Sequence, residues 1–340
     1  MRATVMYAPG DVRVEERPEP TIEAPTDAIV RVVRACVCGS DLHPYHSMKP
    51  AAAGQTMGHE FIGVVEEVGA DVKKVKQGDF VISPFAWSDN TCPICRDGFQ
   101  TACPHGGFFS AAQAEYVRVP QADGTLVVTE ATHDEDTLKS LLTLSDVYLT
   151  GYHAAFMANV QPGQTVTVVG DGAVGLSAVV AAKTMGAERI ILMGRHADRT
   201  ELGRRFGATD VVAERGEAGI AQVRELTGGV GSQVVLEAVG HRPAYDQSVG
   251  IVRAGGVISR VGVPQYDEAP VGFASLFGRN ITLTGGPAPV RAYLEQAIPQ
   301  VLDGTTNPGL VFDRVLPLEQ TAEGYALMDD RKALKVMIQP

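Results

Sequence analysis

Thr165-Val166-Thr167-Val168-Val169-Gly170-Asp171-Gly172-Ala173-Val174-Gly175-Leu176-Ser177-Ala178 is the stretch whose reading decides the fold. A β-branched run, suited to a buried strand, stops at a glycine, and small helix-forming residues follow. Between them stands G-x-G-x-x-G, a weak signal alone but a specific one when a strand precedes it and a helix follows. Gly170 permits the tight turn, Gly172 lets the backbone approach a pyrophosphate, and Gly175 lets helix and strand pack closely. Around Ala173 and Val174 the helix start offers unpaired N–H groups and a positive dipole end to phosphate. A glycine-rich turn with no ligand is the bland alternative, and the strand–turn–helix setting argues against it.

Outward from this turn the pattern repeats. Arg189–Met193 reads as the next strand, Thr200–Phe206 as a helix, and Asp210–Val212, Val234–Glu237, Val257–Val261 and Ile281–Thr284 as further strands. Strands alternating with helices predict a doubly wound parallel sheet of α/β class. Where the second strand ends, an Asp or Glu that reads ribose hydroxyls is expected; Gly194-Arg195-His196 stands there, with Arg199 nearby. Loss of the carboxylate and gain of basic groups favour a 2′-phosphate, hence NADP over NAD. Before this region the chain reads as β-rich, with strands at Ala28–Ala35 and Phe61–Val68. After Pro287 come a helix at Val290–Leu302, a strand near Phe312–Leu316, a helix at Thr321–Asp329 and a strand at Val336–Gln339. The expected division is a dinucleotide-binding domain over 150–286 and a second domain from 1–149 and 287–340.

Composition narrows the function. With 340 residues, 45% hydrophobic and 20% charged, the chain is long enough for two ordinary globular cores. Its 40 acidic residues outnumber 29 basic ones for a net charge of −11, which opposes nucleic-acid binding. No apolar run approaches the ~20 residues of a membrane helix. The opening Met-Arg-Ala-Thr-Val-Met-Tyr lacks a signal-peptide core, so a cytoplasmic location is expected. Five cysteines, three of them crowded at Cys92, Cys95 and Cys103, favour metal ligation over disulfides.

Two further motifs carry donors. Cys38-Gly39-Ser40-Asp41-Leu42-His43 and Gly58-His59-Glu60 place Cys, His and carboxylate groups in the β-rich part, a set that suits zinc. Together with the glycine turn, Gly78–Val81, Phe206–Asp210 and Leu144–His153, they make the chain resemble the medium-chain, zinc-dependent alcohol dehydrogenases from Val5-Met6-Tyr7 to Lys335-Val336. The resemblance implies a GroES-like catalytic domain joined to the Rossmann domain. It implies catalytic-zinc ligation by Cys38 and His59, with Glu60 nearby and Asp146 at the remaining ligand position. It also implies a proton relay through Ser40 and His43. The family's structural-zinc loop has four cysteines at the intervals of Asp89, Cys92, Cys95 and Cys103; here Asp89 replaces the first. Two zinc ions per chain are therefore expected. Asp is an acceptable though harder ligand.

Zinc is a Lewis acid that lowers an alcohol's pKa, so hydride can pass to nicotinamide, or back to a polarised carbonyl. Substrate, a small alcohol, aldehyde or ketone, is expected between the domains near zinc. Candidate walls are Tyr45, Phe85, Trp87, Phe108, Phe109 and Tyr148, each equally open to a reading as plain core. Two other functions compete: a zinc-free quinone or enoyl reductase of the same superfamily, and a non-catalytic protein keeping the fold. The first should lack Cys38, His59 and Asp146; the second should lose Ser40, His43 or the glycine turn. Neither loss is present. A homodimer or homotetramer is the family expectation, with Ile281–Thr284 a candidate interface strand.

Overall fold

The computed structural model describes residues 1–131, 134–266 and 272–340. Contacts divide the chain into two compact units, Met1–Asp146 with Pro289–Pro340, and Val147–Ala288.

The second unit holds a six-stranded sheet whose neighbours all run parallel. In spatial order its strands are Asp210–Val212, Arg189–Met193, Thr165–Val169, Ser232–Glu237, Val252–Arg260 and Thr282–Gly285. Numbered along the chain this is third, second, first, fourth, fifth, sixth, the Rossmann order, whose reversal lies between the first and fourth strands. Buried Val169, Ile191, Met193, Val235 and Ile258 belong to its core. Gly170 has φ +115°, open to glycine but costly for other residues, and a Cβ at Gly175 would stand 2.0 Å from the Gly170 carbonyl oxygen. The helix after the turn, Ala173–Thr184, buries Gly175, Leu176, Ser177 and Ala178.

Two helices, Gly216–Leu226 and Arg242–Ile251, were not anticipated from the sequence. The second had a signal, Pro243 in its first turn. The fifth strand starts at Val252 rather than Val257, because Gly255 and Gly256 sit inside it and hide its pattern. The helix expected from Thr200 already starts at Ala197.

The first unit is built on a mixed sheet in the order Val127–Thr129, Phe80–Ser83, Phe61–Val68, Ala28–Val37, Val336–Gln339 and Arg314–Pro317, with Tyr116–Val119 also paired to Ala28–Val37. Val30, Phe61, Val65, Val81, Val117 and Val336 are among its buried core residues. Burial of each such side chain contributes roughly 1.5–3 kcal/mol. Antiparallel pairing sets Ala35 opposite Phe61 and Val37 opposite Val336. The end of one strand thus meets the starts of two others, which brings Cys38, His59-Glu60 and Lys335 to one place. Among the described residues, no helix is long and apolar enough to cross a membrane.

Candidate functional site

At that strand junction Cys38, His59, Glu60 and Asp146 each present a donor atom, all within 4.8 Å of one another. His59 Nε2 lies 3.4 Å from an Asp146 oxygen and 3.9 Å from a Glu60 oxygen. Zinc bonds of about 2.0–2.3 Å put tetrahedral ligands about 3.3–3.8 Å apart, so the spacing suits that ion. Asp146 ends the first unit, and its neighbour Ser145 pins it: Ser145 Oγ donates to the Phe61 carbonyl at 3.1 Å, and the Ser145 carbonyl accepts from the Phe85 N–H at 3.0 Å.

Around the donors is a shell of buried polar groups that sequence reasoning did not single out. Asp41 is 5% exposed; its Oδ2 accepts from the Cys38 N–H at 3.0 Å and from Gln113 Nε2 at 3.1 Å. Its Oδ1 faces His59 Nδ1 at 3.4 Å, so the ring is oriented with Nε2 toward the other donors. Gln113 is braced in turn by the Tyr325 hydroxyl, which donates to its Oε1 at 3.1 Å. Lys335 Nζ donates to Glu60 Oε1 at 2.8 Å, both side chains 1% exposed, while Glu60 Oε2 is buried with no hydrogen-bond partner among the described residues. That orphaned oxygen is what a site built for a cation contains. Burial opposes protonation of His59, but Asp41, Cys38 and Asp146 outweigh it and raise its pKa well above the ordinary value. Burial and the Glu60 charge raise the Cys38 thiol. A bound cation removes this mutual repulsion and takes thiolate and neutral imidazole as ligands.

Asp41 had a legible signal, three residues after Cys38 in the same motif. Lys335 had none, standing 275 residues from its partner.

Ser40 lies in the one-turn helix Gly39–Asp41 and His43 in the helix Leu42–Ser47, both half-buried. Of the aromatic candidates, Phe85 meets the donor set, its ring edge-on to His59 at 6.3 Å and stacked on Phe108 at 5.9 Å. Phe109 and Phe61 form a T-shaped pair with ring centroids 5.4 Å apart, and Tyr45 packs on Tyr325 at 5.5 Å. Trp87 is paired with Gly107, where a Cβ would stand 2.9 Å from its ring. Tyr148 is buried in the second unit.

The second cluster lies on one loop. Asp89, Cys92, Cys95 and Cys103 bring donors within 4.8 Å of one another, with Cys92 Sγ and Cys103 Sγ 4.0 Å apart. Cys92 caps the one-turn helix Pro93–Arg96, its sulfur accepting from the Cys95 N–H. Asp89 Oδ1 accepts from the N–H groups of Thr91 and Cys92, and Oδ2 from the His105 ring at 2.6 Å. Burial pushes the Asp89 carboxyl up, but His105 and those two N–H groups hold it far below the usual carboxylate range. Burial and the neighbouring thiols raise Cys95. Three thiols and one carboxylate fit a closed four-coordinate zinc.

In the second unit, Gly172 caps the helix after the turn. Asp171, 7% exposed, crosses from this turn to the end of the second strand. Its Oδ2 accepts from the Arg195 N–H at 2.9 Å, the His196 N–H at 3.0 Å and His196 Nδ1 at 2.8 Å. The missing side chain at Gly194 does not leave open space. A Cβ there would stand 2.5 Å from Asp171 Cβ and 2.8 Å from its Oδ2, so the absent side chain makes room for Asp171. Arg195 is exposed and Arg199 half-buried. Glu237, ending the fourth strand, accepts at 2.8 Å from the N–H groups of Val239 and Gly240.

With this geometry in place, the family model of an alcohol dehydrogenase GroES-like domain matches residues 24–130, and that of a zinc-binding dehydrogenase matches residues 173–303. A zinc-type alcohol dehydrogenase B from Aspergillus flavus is 36% identical, over 99% of this chain and 81% of its own. An alcohol dehydrogenase from Thermus sp. ATN1 superposes with TM-score 0.92 at 34% identity, over 100% of this chain and 99% of that one. A zinc-binding dehydrogenase from Sinorhizobium meliloti, solved bound to NADP, gives TM-score 0.82 at 25% identity, over 100% and 99% of the two chains.

Proposed function

Since the chain belongs to the zinc-binding alcohol dehydrogenases of the medium-chain dehydrogenase/reductase superfamily, with their GroES-like and Rossmann folds, we propose that it interconverts a small alcohol with its aldehyde or ketone, using NADP(H). The observation that carries this reading is the convergence of the Cys38, His59, Glu60 and Asp146 donors within 4.8 Å. Cys38, His59 and Asp146 would hold one zinc, with Glu60 able to enter; Asp89, Cys92, Cys95 and Cys103 would hold a second. When bound, zinc supplies Lewis-acid polarisation of the substrate oxygen, and the coenzyme takes or gives the hydride.

The protein's own groups supply the rest. Asp41 orients His59 through Nδ1. Ser40 holds the alcohol proton and passes it toward His43, which releases it to solvent. Phe85, set against His59, offers an apolar wall to a carbon substrate. For the coenzyme, Gly170, Gly172 and Gly175 shape the turn, the helix start at Ala173 and Val174 takes the pyrophosphate, and Arg195, His196 and Arg199 take the 2′-phosphate. The NADP-bound relative supports the last assignment.

The test is a panel of primary and secondary alcohols assayed with both coenzymes on zinc-loaded protein. Charge-assisted hydrogen bonds contribute roughly 1.5–3 kcal/mol, so NADP should be preferred at least ~10-fold in kcat/KM. Equal use of NAD would sink the coenzyme assignment; undiminished turnover after zinc removal would sink the zinc chemistry. His43→Ala should slow oxidation roughly 10-fold or more at pH 6 and less at pH 9, where solvent base can replace it.

A further inference from the structure

We infer that Asp171 is a positioning residue for coenzyme selection, acting as one unit with Gly194. The inference rests on the NADP reading above and adds the device that sets it. A ribose-reading acid normally grows from the end of the second strand. Here that end is glycine, and the space its side chain would fill holds a carboxylate that comes from the phosphate turn. All three of the nearest atoms to a Cβ at Gly194 belong to Asp171, at 2.5, 2.8 and 2.9 Å. One oxygen of Asp171 takes both N–H groups of Arg195 and His196 and the His196 ring.

This has two consequences. The backbone that carries Arg195 is tied to the glycine turn, so its guanidinium starts from a fixed point rather than a loose loop. Asp171 spends its charge on three donors, and its pKa lies below the ordinary value because the His196 N–H and ring outweigh the cost of burial. The carboxylate therefore serves as an internal anchor for the basic segment. It also blocks the usual route to NAD preference, since an acid cannot be added at 194 while Asp171 occupies its place.

The experiment is calorimetric titration of zinc-loaded protein with NADPH and NADH, wild type against Asp171→Gly, Asp171→Asn, Gly194→Asp and the double variant Asp171→Gly/Gly194→Asp, with thermal melts alongside. The ratio of the two dissociation constants is the decisive readout, because a general loosening of the turn weakens both coenzymes alike. Asp171→Gly should cut the NADPH preference about tenfold, and Asp171→Asn, which keeps an acceptor oxygen for the two N–H groups, should retain most of it. Gly194→Asp alone should lower the melting temperature without producing NADH preference, and the double variant should recover the melting temperature and favour NADH. A wild-type preference of tenfold or more that Asp171→Gly leaves unchanged overturns this inference alone, as does a stable Gly194→Asp variant that favours NADH. A wild-type ratio near one overturns the coenzyme reading and with it this role of Asp171.

Discussion

The two donor clusters of the first unit differ in how the chain assembles them. Asp89, Cys92, Cys95 and Cys103 come from a single loop, held by local bonds such as the Cys95 N–H to Cys92 Sγ. Cys38, His59, Glu60 and Asp146 come from separate segments brought together by strand pairing and by the bonds of Ser145 to Phe61 and Phe85. The shells differ as well. Around the second set stand Asp41, Gln113, Lys335 and Tyr325, buried and bonded to one another or to the donors. The loop cluster has His105, 64% exposed, as an outer partner of Asp89. A closed set of three thiols and a carboxylate suits a metal that holds a loop together. A buried charge network with an unpaired Glu60 oxygen suits one whose coordination changes.

The sharpest way to break this contrast is to remove one donor from each cluster. Cys38→Ser or His59→Ala should lower kcat at least ~1000-fold, about 4 kcal/mol of barrier, while NADPH binding by titration stays within about threefold. Residual activity above that bound would show that the strand-junction cluster does not do the chemistry.

Next in size, Cys95→Ser should reduce zinc from two ions per chain to one by elemental analysis. It should cost about 2 kcal/mol or more, which lowers the melting temperature by roughly 4–8 °C. A variant that keeps both zinc ions and its melting temperature would remove the structural role from the loop.

A smaller effect concerns the outer partner. His105→Ala should weaken zinc retention by the loop roughly 10-fold, measured by competition with a chelator, because Asp89 loses the ring that fixes its second oxygen. Unchanged retention would mean that Asp89 is not a ligand.

The smallest effect is the acid limb of metal-free protein. The Asp89 carboxyl lies below its ordinary value when folded, so the unfolded chain binds more protons as pH falls. Its contribution is complete above about pH 4 and is lost below it. Asp89→Asn should therefore flatten the stability profile below about pH 4 and leave the slope above pH 5 parallel to wild type. An unchanged acid limb in denaturant titrations would contradict the bonds drawn to Asp89.

The comparison also explains what could be read without a structure. The cysteine loop was legible because its donors are neighbours in sequence and spacing is their geometry. The glycine turn was legible for the same reason: strand, turn and helix follow one another directly. At the strand junction, Cys38 and His59 were recognisable by motif, whereas Lys335 and Gln113 were not, since what brings them there is register. At Gly194 the sequence shows a missing carboxylate, but its structural counterpart lies 23 positions earlier, in the Asp171 side chain that reaches from the glycine turn to the end of the second strand.

By itself the sequence determined the α/β class, the parallel sheet around Gly170–Gly175, the family and the donor types, because these depend on local periodicity and on groups a few residues apart. Tertiary structure alone decided that Lys335 neutralises Glu60, that Asp41 turns His59 and that Asp171 fills the place of a side chain at Gly194. Each of these is a contact between segments whose distance is set by strand pairing and core packing. Residue identity limits such contacts, but only the folded backbone brings the partners within bonding range.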